Sequence, residues 1–111
     1  MANRDHLATL ELLVLLAVVR AGRNASGIPI AREIEACSDR EVALGSIYTT
    51  LSRLEEKGLL ASELGEPTAR RGGRAKAFFR LTAKGLREVR ETQATLTKLW
   101  SGPPGLGGFE P

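Results

Sequence analysis

Apolar residues recur at helical spacing in four segments of this 111-residue chain. The first segment, residues 7–21, is rich in Leu and Ala, and Gly22 follows it. The pattern predicts a helix that ends at this glycine and has two turns without a polar residue on any face. A helix that is apolar all round is buried all round. One side can pack on the core of so short a chain, so the other side needs a further partner.

A second, shorter helix is predicted to begin at Gly27, because Pro29 is tolerated in a first helical turn. Ile30, Ile34 and Cys37 then recur at steps of four and three and define one apolar face. We expect Cys37 to be a small core residue on this face.

The third helix is predicted over residues 44–57, with Gly58 as its natural end. Its apolar stripe comprises four residues, Leu44, Ile47, Leu51 and Leu54. At about 100° per residue, Thr49 points away from this stripe and Ser46 and Arg53 lie near Thr49. Tyr48 and Thr50 are predicted on the two flanks. The exposed face is therefore small, neutral and rich in hydroxyl groups, with a single arginine.

Two strands are predicted at residues 59–64 and 75–81, joined by a long Pro- and Gly-rich connection in which Gly72 and Gly73 suit a hairpin tip. Thr82 is the predicted N-cap of a last helix that reaches about residue 100. This helix carries a heptad-like seam with one polar member, formed by Leu86, Val89, Gln93, Leu96 and Trp100. Residues 101–111 are rich in Gly and Pro and are predicted to be disordered.

The charge is concentrated in one segment. The chain has 16 Lys and Arg against 13 Asp and Glu, a net charge of +3. Residues 67–80 contain no acidic residue and carry a charge of +5, which leaves −2 for the remainder. Their basic residues are Arg70, Arg71, Arg74, Lys76 and Arg80. The chain is thus a nearly neutral domain with one positive segment, not a generally basic polymer.

Several classes of protein are disfavoured. With one cysteine and one histidine, and no evident nucleophile–base or carboxylate pair, we expect neither an enzyme nor a metal or cofactor site. The longest apolar run, residues 12–19, rises only about 12 Å as a helix, against about 30 Å of membrane hydrocarbon. The segment before this run also lacks the features of an export signal. We therefore expect a cytoplasmic protein without a membrane partner.

The order of predicted elements is three helices, a basic-tipped hairpin and a final helix. This order predicts a mainly α fold with a small β-hairpin, a winged helix-turn-helix with an added C-terminal dimerisation helix. The expected divisions are a DNA-binding domain at residues 1–81, the dimerisation helix at 82–100 and the tail at 101–111.

Two stretches carry a resemblance to a known family. Residues 44–59, LGSIYTTLSRLEEKGL, closely resemble the signature of PadR-like transcriptional regulators. Residues 71–76, RGGRAK, and 78–82, FFRLT, with Gly85 resemble the wing of that family and its junction to the next helix. The resemblance covers about residues 7–100, and it implies a homodimer that binds double-stranded DNA, acts as a repressor and responds to a small aromatic effector.

The resemblance, together with the exposed face and the basic segment, assigns candidate residues. The expected DNA-binding residues are Ser46, Tyr48, Thr49, Thr50, Arg53, Arg70, Arg71, Gly72, Gly73, Arg74 and Lys76. Arg53 is the expected base reader, since arginine recognises guanine through two hydrogen bonds. The expected dimer interface comprises Leu12, Leu16, Val19, Leu86, Val89, Gln93, Leu96 and Trp100.

Three alternatives remain open at this point. A winged helix can be a protein-interaction module whose basic wing meets an acidic partner. Binding of single-stranded nucleic acid is disfavoured because the exposed positions lack several aromatic platforms. Trp100 is expected in the dimer core, with stacking on a ligand as the other interpretation.

Overall fold

A computed structural model describes residues 7–65 and 76–101, which form four α-helices and one antiparallel pair of strands. The elements are α1 (Thr9–Ala21), α2 (Gly27–Ser38), α3 (Leu44–Glu56), β1 (Leu60–Leu64), β2 (Ala77–Leu81) and α4 (Ala83–Trp100), with a 3₁₀ turn at Gly22–Asn24 after α1. This order confirms the predicted winged helix-turn-helix with a further C-terminal helix. Residues 102–111 of the predicted disordered tail lie outside the described ranges.

Glu11 connects the beginning of α1 to the end of α3. One carboxylate oxygen accepts the Ala8 amide at 2.9 Å, a donor that the helix itself leaves unpaired. The other accepts the Lys57 ammonium at 2.8 Å, and Glu11 is only 7% exposed. Burial raises the pKa of Glu11, but the hydrogen bonds from Lys57 and Ala8 and the charges of Lys57 and Arg53 together lower it below its ordinary value.

The turn of the helix-turn-helix is set by the end of α2. Asp39 adopts a left-handed conformation with φ of 58°, and its amide donates to the Glu35 carbonyl at 2.9 Å. Cys37 is exposed, so the prediction of a core cysteine is wrong. It shares the direction of the apolar face but lies in the last turn, beyond Ile34, the last buried residue of α2.

The core lies between the first three helices and the base of the hairpin. Its largest fully buried apolar side chains are Leu15, Ile30, Ile47, Leu51, Leu54 and Val14. Leu44 was predicted in this stripe but is exposed, because it is the first residue of α3 and precedes the turn that packs on the core. Without Leu44 the centre of the buried stripe shifts toward Thr50, which is 6% exposed.

The hairpin is held against the domain by the connection between α1 and α2. Leu60 pairs with Leu81 and Leu64 with Ala77 across the two strands. The Phe79 amide, on the outer edge of β2, donates to the Ala25 carbonyl at 2.8 Å. Phe79 and Leu81, two positions apart and so on the same face of β2, pack against the core. The connection between α1 and α2 therefore holds the base of the hairpin in place.

The junction between the hairpin and α4 returns the chain to the end of α3. The Thr82 amide donates to the Leu59 carbonyl at 3.1 Å, and the Thr82 hydroxyl donates to the Gly58 carbonyl at 2.6 Å. The same hydroxyl accepts the Gly85 amide at 3.0 Å, as expected of an N-cap. Gly85 is required here, since a Cβ would overlap the Leu59 carbonyl oxygen.

Candidate nucleic-acid interface

The outer face of α3 presents the polar side chains that the periodicity predicted. Ser46, Thr49 and Arg53 are all exposed. They border a shallow depression of about 430 Å³ whose lining is Leu10, Gly45, Ser46, Thr49, Thr50 and Arg53. A hydroxyl-lined helix face with one arginine has the size and chemistry to enter a major groove, which admits one α-helix.

Arg53 keeps its charge available on this face. Among residues 7–65 and 76–101 its guanidinium forms no ion pair. Glu11 is close enough to Arg53 to interact through its charge, but its carboxylate is bonded to Lys57. Five N–H donors of Arg53 are thus not committed to a carboxylate within the described ranges, as bidentate recognition of guanine requires.

Thr50 does not lie on an exposed flank. It is buried at the inner edge of the depression, because it follows Ile47 by three residues and precedes Leu54 by four. We therefore assign it a packing position beneath the outer face, and the prediction that it lies on an exposed flank is wrong.

Tyr48 is exposed on the flank opposite to Thr50, and its ring packs against α2. A Cβ at Gly27 would overlap the Tyr48 hydroxyl oxygen, so the two helices approach closely at this point. Sequence reasoning missed the role of Gly27, which was treated only as the start of α2. The glycine makes room for the ring and thereby fixes α3 across α2.

Lys76 is the one residue of the expected wing contacts within the described ranges. Its ammonium lies 5.7 Å from the centroid of the Phe78 ring, and its carbonyl accepts the Gly65 amide at 2.7 Å. The Phe78 ring in turn covers Gly65, where a Cβ would come within 2.7 Å of a ring carbon. Arg70, Arg71, Gly72, Gly73 and Arg74 lie outside the described ranges.

An apolar depression separates α1 from α4. It measures about 200 Å³ and contains five of the eight residues expected at the dimer interface, and its lining is Leu12, Leu16, Val89, Gln93, Leu96 and Thr97. Leu86 and Trp100 are exposed elsewhere on α4, whereas Val19 lines a separate groove beside the hairpin. The two helices thus expose a joint apolar surface, of the kind that marks interaction sites when it is large.

No group of three or more His, Cys, Asp or Glu residues in the described parts is placed to hold a metal ion. In these parts of the chain no helix combines the length and apolarity needed to cross a membrane.

Similarity to solved structures extends over most of the chain. A PadR family regulator from Eggerthella lenta is 29% identical, with a TM-score of 0.70 over 92% of this chain and 84% of the other. A PadR-like transcription factor from Bacteroides fragilis is 25% identical, with a TM-score of 0.67 over 81% and 82%. A PadR family regulator from Clostridium difficile is 20% identical, with a TM-score of 0.72 over 92% and 98%, and supports the fold alone.

The sequence itself identifies the same family. No curated protein sequence matches the chain significantly. The family model of PadR-like transcriptional regulators matches residues 15–91, which include α2, α3, the hairpin and half of α4. The match includes both stretches on which the resemblance was based. The chain therefore belongs to the PadR-like family of transcriptional regulators.

Proposed function

We propose that the chain is a homodimeric, sequence-specific repressor that binds double-stranded DNA and is released by a small effector. The observation that carries the proposal is the outer face of α3, where Ser46, Thr49 and Arg53 are exposed together and Arg53 forms no ion pair within the described ranges. Family membership supports regulation through DNA binding. Repression, dimerisation and release by an effector are proposals.

In this proposal α3 enters the major groove. Arg53 recognises a guanine through two hydrogen bonds, while Ser46 and Thr49 contact base edges or phosphates. Tyr48 is half exposed beside this face, but its hydroxyl group packs on Gly27. Sequence preference is therefore assigned mainly to Arg53.

The basic segment supplies affinity without sequence preference. Arg70, Arg71, Arg74 and Lys76 bind phosphates, and Gly72 and Gly73 allow the tip to approach the backbone closely. Lys76 lies at the end of the paired strands nearest the rest of the basic segment, where its carbonyl accepts the Gly65 amide. The hydrogen bond from the Phe79 amide to the Ala25 carbonyl holds β2 against the connection between α1 and α2, and so supports the strands that lead to this segment.

The second copy of the chain is proposed to cover the apolar surface of α1 and α4. Residues 1–81 then form the DNA-binding unit, and residues 82–100 form the arm that pairs the two copies. Thr82 fixes this arm to the end of α3, so dimerisation sets the distance between two α3 helices. Two-fold symmetric DNA-binding proteins of this type bind half-sites about one helical turn apart. We place the protein in the cytoplasm, where a free cysteine stays reduced.

The salt dependence of DNA binding tests the proposal. Four basic residues in each of two wings predict that log K falls by about 7 per decade of salt concentration, at 0.9 per neutralised phosphate. Fluorescence anisotropy with a duplex from the region upstream of its own gene measures this slope. Negligible affinity for any duplex at physiological salt would contradict the proposal and favour a protein-interaction module with an acidic partner.

A further inference from the structure

A groove lies between the end of α1 and the strands of the hairpin, and it does not include any residue of the outer face of α3. Its volume is about 570 Å³, and none of its lining residues borders the depressions on α3 or between α1 and α4. Ligand pockets in proteins commonly measure about 300–1,000 Å³. The groove therefore has the size of a small-molecule site.

The walls of the groove are apolar. Val19 is 56% exposed and Leu64 is 71% exposed, both large fractions for aliphatic side chains, and Phe78 adds an aromatic wall. Burial of this surface against an apolar ligand removes it from water and is favourable. Val19 and Leu64 come from α1 and β1, so an occupant would contact both sides of the groove.

The charged groups of the groove favour an anion. Arg23 and Arg80 line it, and neither forms an ion pair with another described residue. Glu63 also lines the groove, which leaves one net positive charge among these three side chains. Arginine binds a carboxylate through two parallel hydrogen bonds. The net positive charge of these three side chains therefore matches a ligand that carries a single negative group.

We propose that this groove binds an apolar monocarboxylate. The apolar part lies between Val19, Leu64 and Phe78, and the carboxylate accepts hydrogen bonds from Arg23 and Arg80. The regulatory consequence rests on the proposed function: because the occupant contacts both α1 and the hairpin, a difference in its affinity between the DNA-free and DNA-bound arrangements of these two elements changes the affinity for DNA by the same factor. This ligand class would thereby change the affinity of the protein for DNA.

Titration of the ¹⁵N-labelled protein with octanoate, without DNA, tests the site. We expect saturable shifts at the amides of Val19, Arg23 and Leu64, with a Kd below about 1 mM. Octanamide, which has the same chain and no charge, should bind at least about fivefold more weakly. No saturable shift, equal binding of the amide, or shifts confined to the surface between α1 and α4 would overturn the proposal.

A matched pair of charge variants tests the arginine. Arg23→Gln should weaken octanoate binding about fivefold, because a charge-assisted hydrogen bond is lost. Arg32→Gln removes the same charge from an exposed position on α2 that does not line the groove, and it should bind octanoate like the parent. Equal affinity of the two variants would overturn the assignment of Arg23.

The coupling to DNA is measured separately by anisotropy. Octanoate should change the DNA affinity of the parent protein, and Arg23→Gln should require about fivefold more octanoate for the same change. Octanoate binding by a protein that binds no DNA would refute the proposed function and leave the groove assignment standing. Unaltered DNA affinity of the parent at saturating octanoate would overturn the coupling.

Discussion

The hydroxyl group of Thr82 donates to the carbonyl of Gly58 at 2.6 Å and joins the helix proposed to read DNA to the helix proposed to pair two copies. Gly58 follows α3, and Thr82 immediately precedes α4. The same hydroxyl accepts the Gly85 amide, so it caps α4 while it holds the end of α3. The direction of α4 is thereby fixed relative to α3, on which the spacing of two reading helices depends.

Thr82→Val should destabilise the protein by about 1–2 kcal/mol, because it removes a helix cap and a hydrogen bond while keeping the shape of the side chain. Urea unfolding followed by circular dichroism measures the change. Thr82→Ser retains the hydroxyl and should stay within about 0.5 kcal/mol of the parent. Equal losses in the two variants would refute the role of the hydroxyl.

Gly85→Ala should cost about 2–3 kcal/mol, since its Cβ would overlap the Leu59 carbonyl oxygen and force backbone to shift. Gly45→Ala is the matched control within a helix: no atom lies within 4 Å of its added Cβ. It should stabilise the protein by about 0.5–1 kcal/mol, because alanine loses less backbone entropy than glycine. Thermal unfolding of both variants gives the comparison, and a Gly85→Ala variant as stable as the parent would contradict the packing of α4 on Leu59.

The ion pair of Glu11 should make stability depend on pH in the acid range. The folded state lowers the pKa of Glu11 below 4.5, so the unfolded state binds more protons there. The ion pair therefore stabilises the protein fully above about pH 4.5. This stabilisation is lost as the pH falls through the pKa that Glu11 has in the folded protein, which is lower. Glu11→Gln should be less stable than the parent by about 1 kcal/mol at pH 7, and this difference should shrink toward pH 3.

Urea unfolding from pH 3 to pH 7 at constant ionic strength measures this dependence. Glu56→Gln provides the control, since Glu56 is exposed and forms no ion pair with the other described residues. It should lie within about 0.5 kcal/mol of the parent at pH 7. A Glu11→Gln difference that persists unchanged at pH 3 would show that the charge of Glu11 is not its source.

Leu96→Glu should convert the proposed dimer to a monomer, because it places a charge on the apolar surface between α1 and α4. Ala94→Glu adds the same charge to an exposed position of α4 outside the depression and should leave the dimer intact. Light scattering after gel filtration distinguishes the mass of one chain from that of two. A monomeric parent protein, or a dimeric Leu96→Glu variant, would contradict the proposed interface.

Helical periodicity predicted the elements well because α1, α2 and α3 each turn an apolar stripe toward one common core. Thr82 and Gly58 could be assigned as helix boundaries from sequence because caps depend on local chemistry. Family membership likewise confirms the expectation that the chain is not an enzyme. The errors occur at helix ends: Leu44 and Cys37 have the right direction but lie in terminal turns beyond the core, and how far a core extends is a tertiary property.

The candidate site was predictable to a similar extent. Ser46, Thr49 and Arg53 are exposed as their angular positions predicted. Thr50 was misplaced because its burial depends on which neighbours are themselves buried. The contact of Tyr48 with Gly27 joins residues 21 positions apart, and the pairing of Glu11 with Lys57 spans 46 positions. No local pattern carries such information.

Arg53→Gln should reduce the preference for a specific duplex over a scrambled one by about tenfold. A bidentate contact to guanine contributes about 1–3 kcal/mol of discrimination against other bases, and the variant loses this contact. Arg71→Gln should weaken binding to both duplexes to a similar extent, since a phosphate contact carries no sequence information. Competition anisotropy with the two duplexes gives both ratios. An unchanged preference in Arg53→Gln would refute its assignment as the base reader.

Two copies of this chain are proposed to read a two-fold symmetric DNA sequence. Selection of bound duplexes from a random pool, followed by measurement of the mass of the selected complex, tests this arrangement. We expect an inverted repeat whose half-sites lie about one helical turn apart, at about 10–10.5 base pairs, bound by two chains. No enriched sequence, or an asymmetric site bound by a single chain, would contradict it.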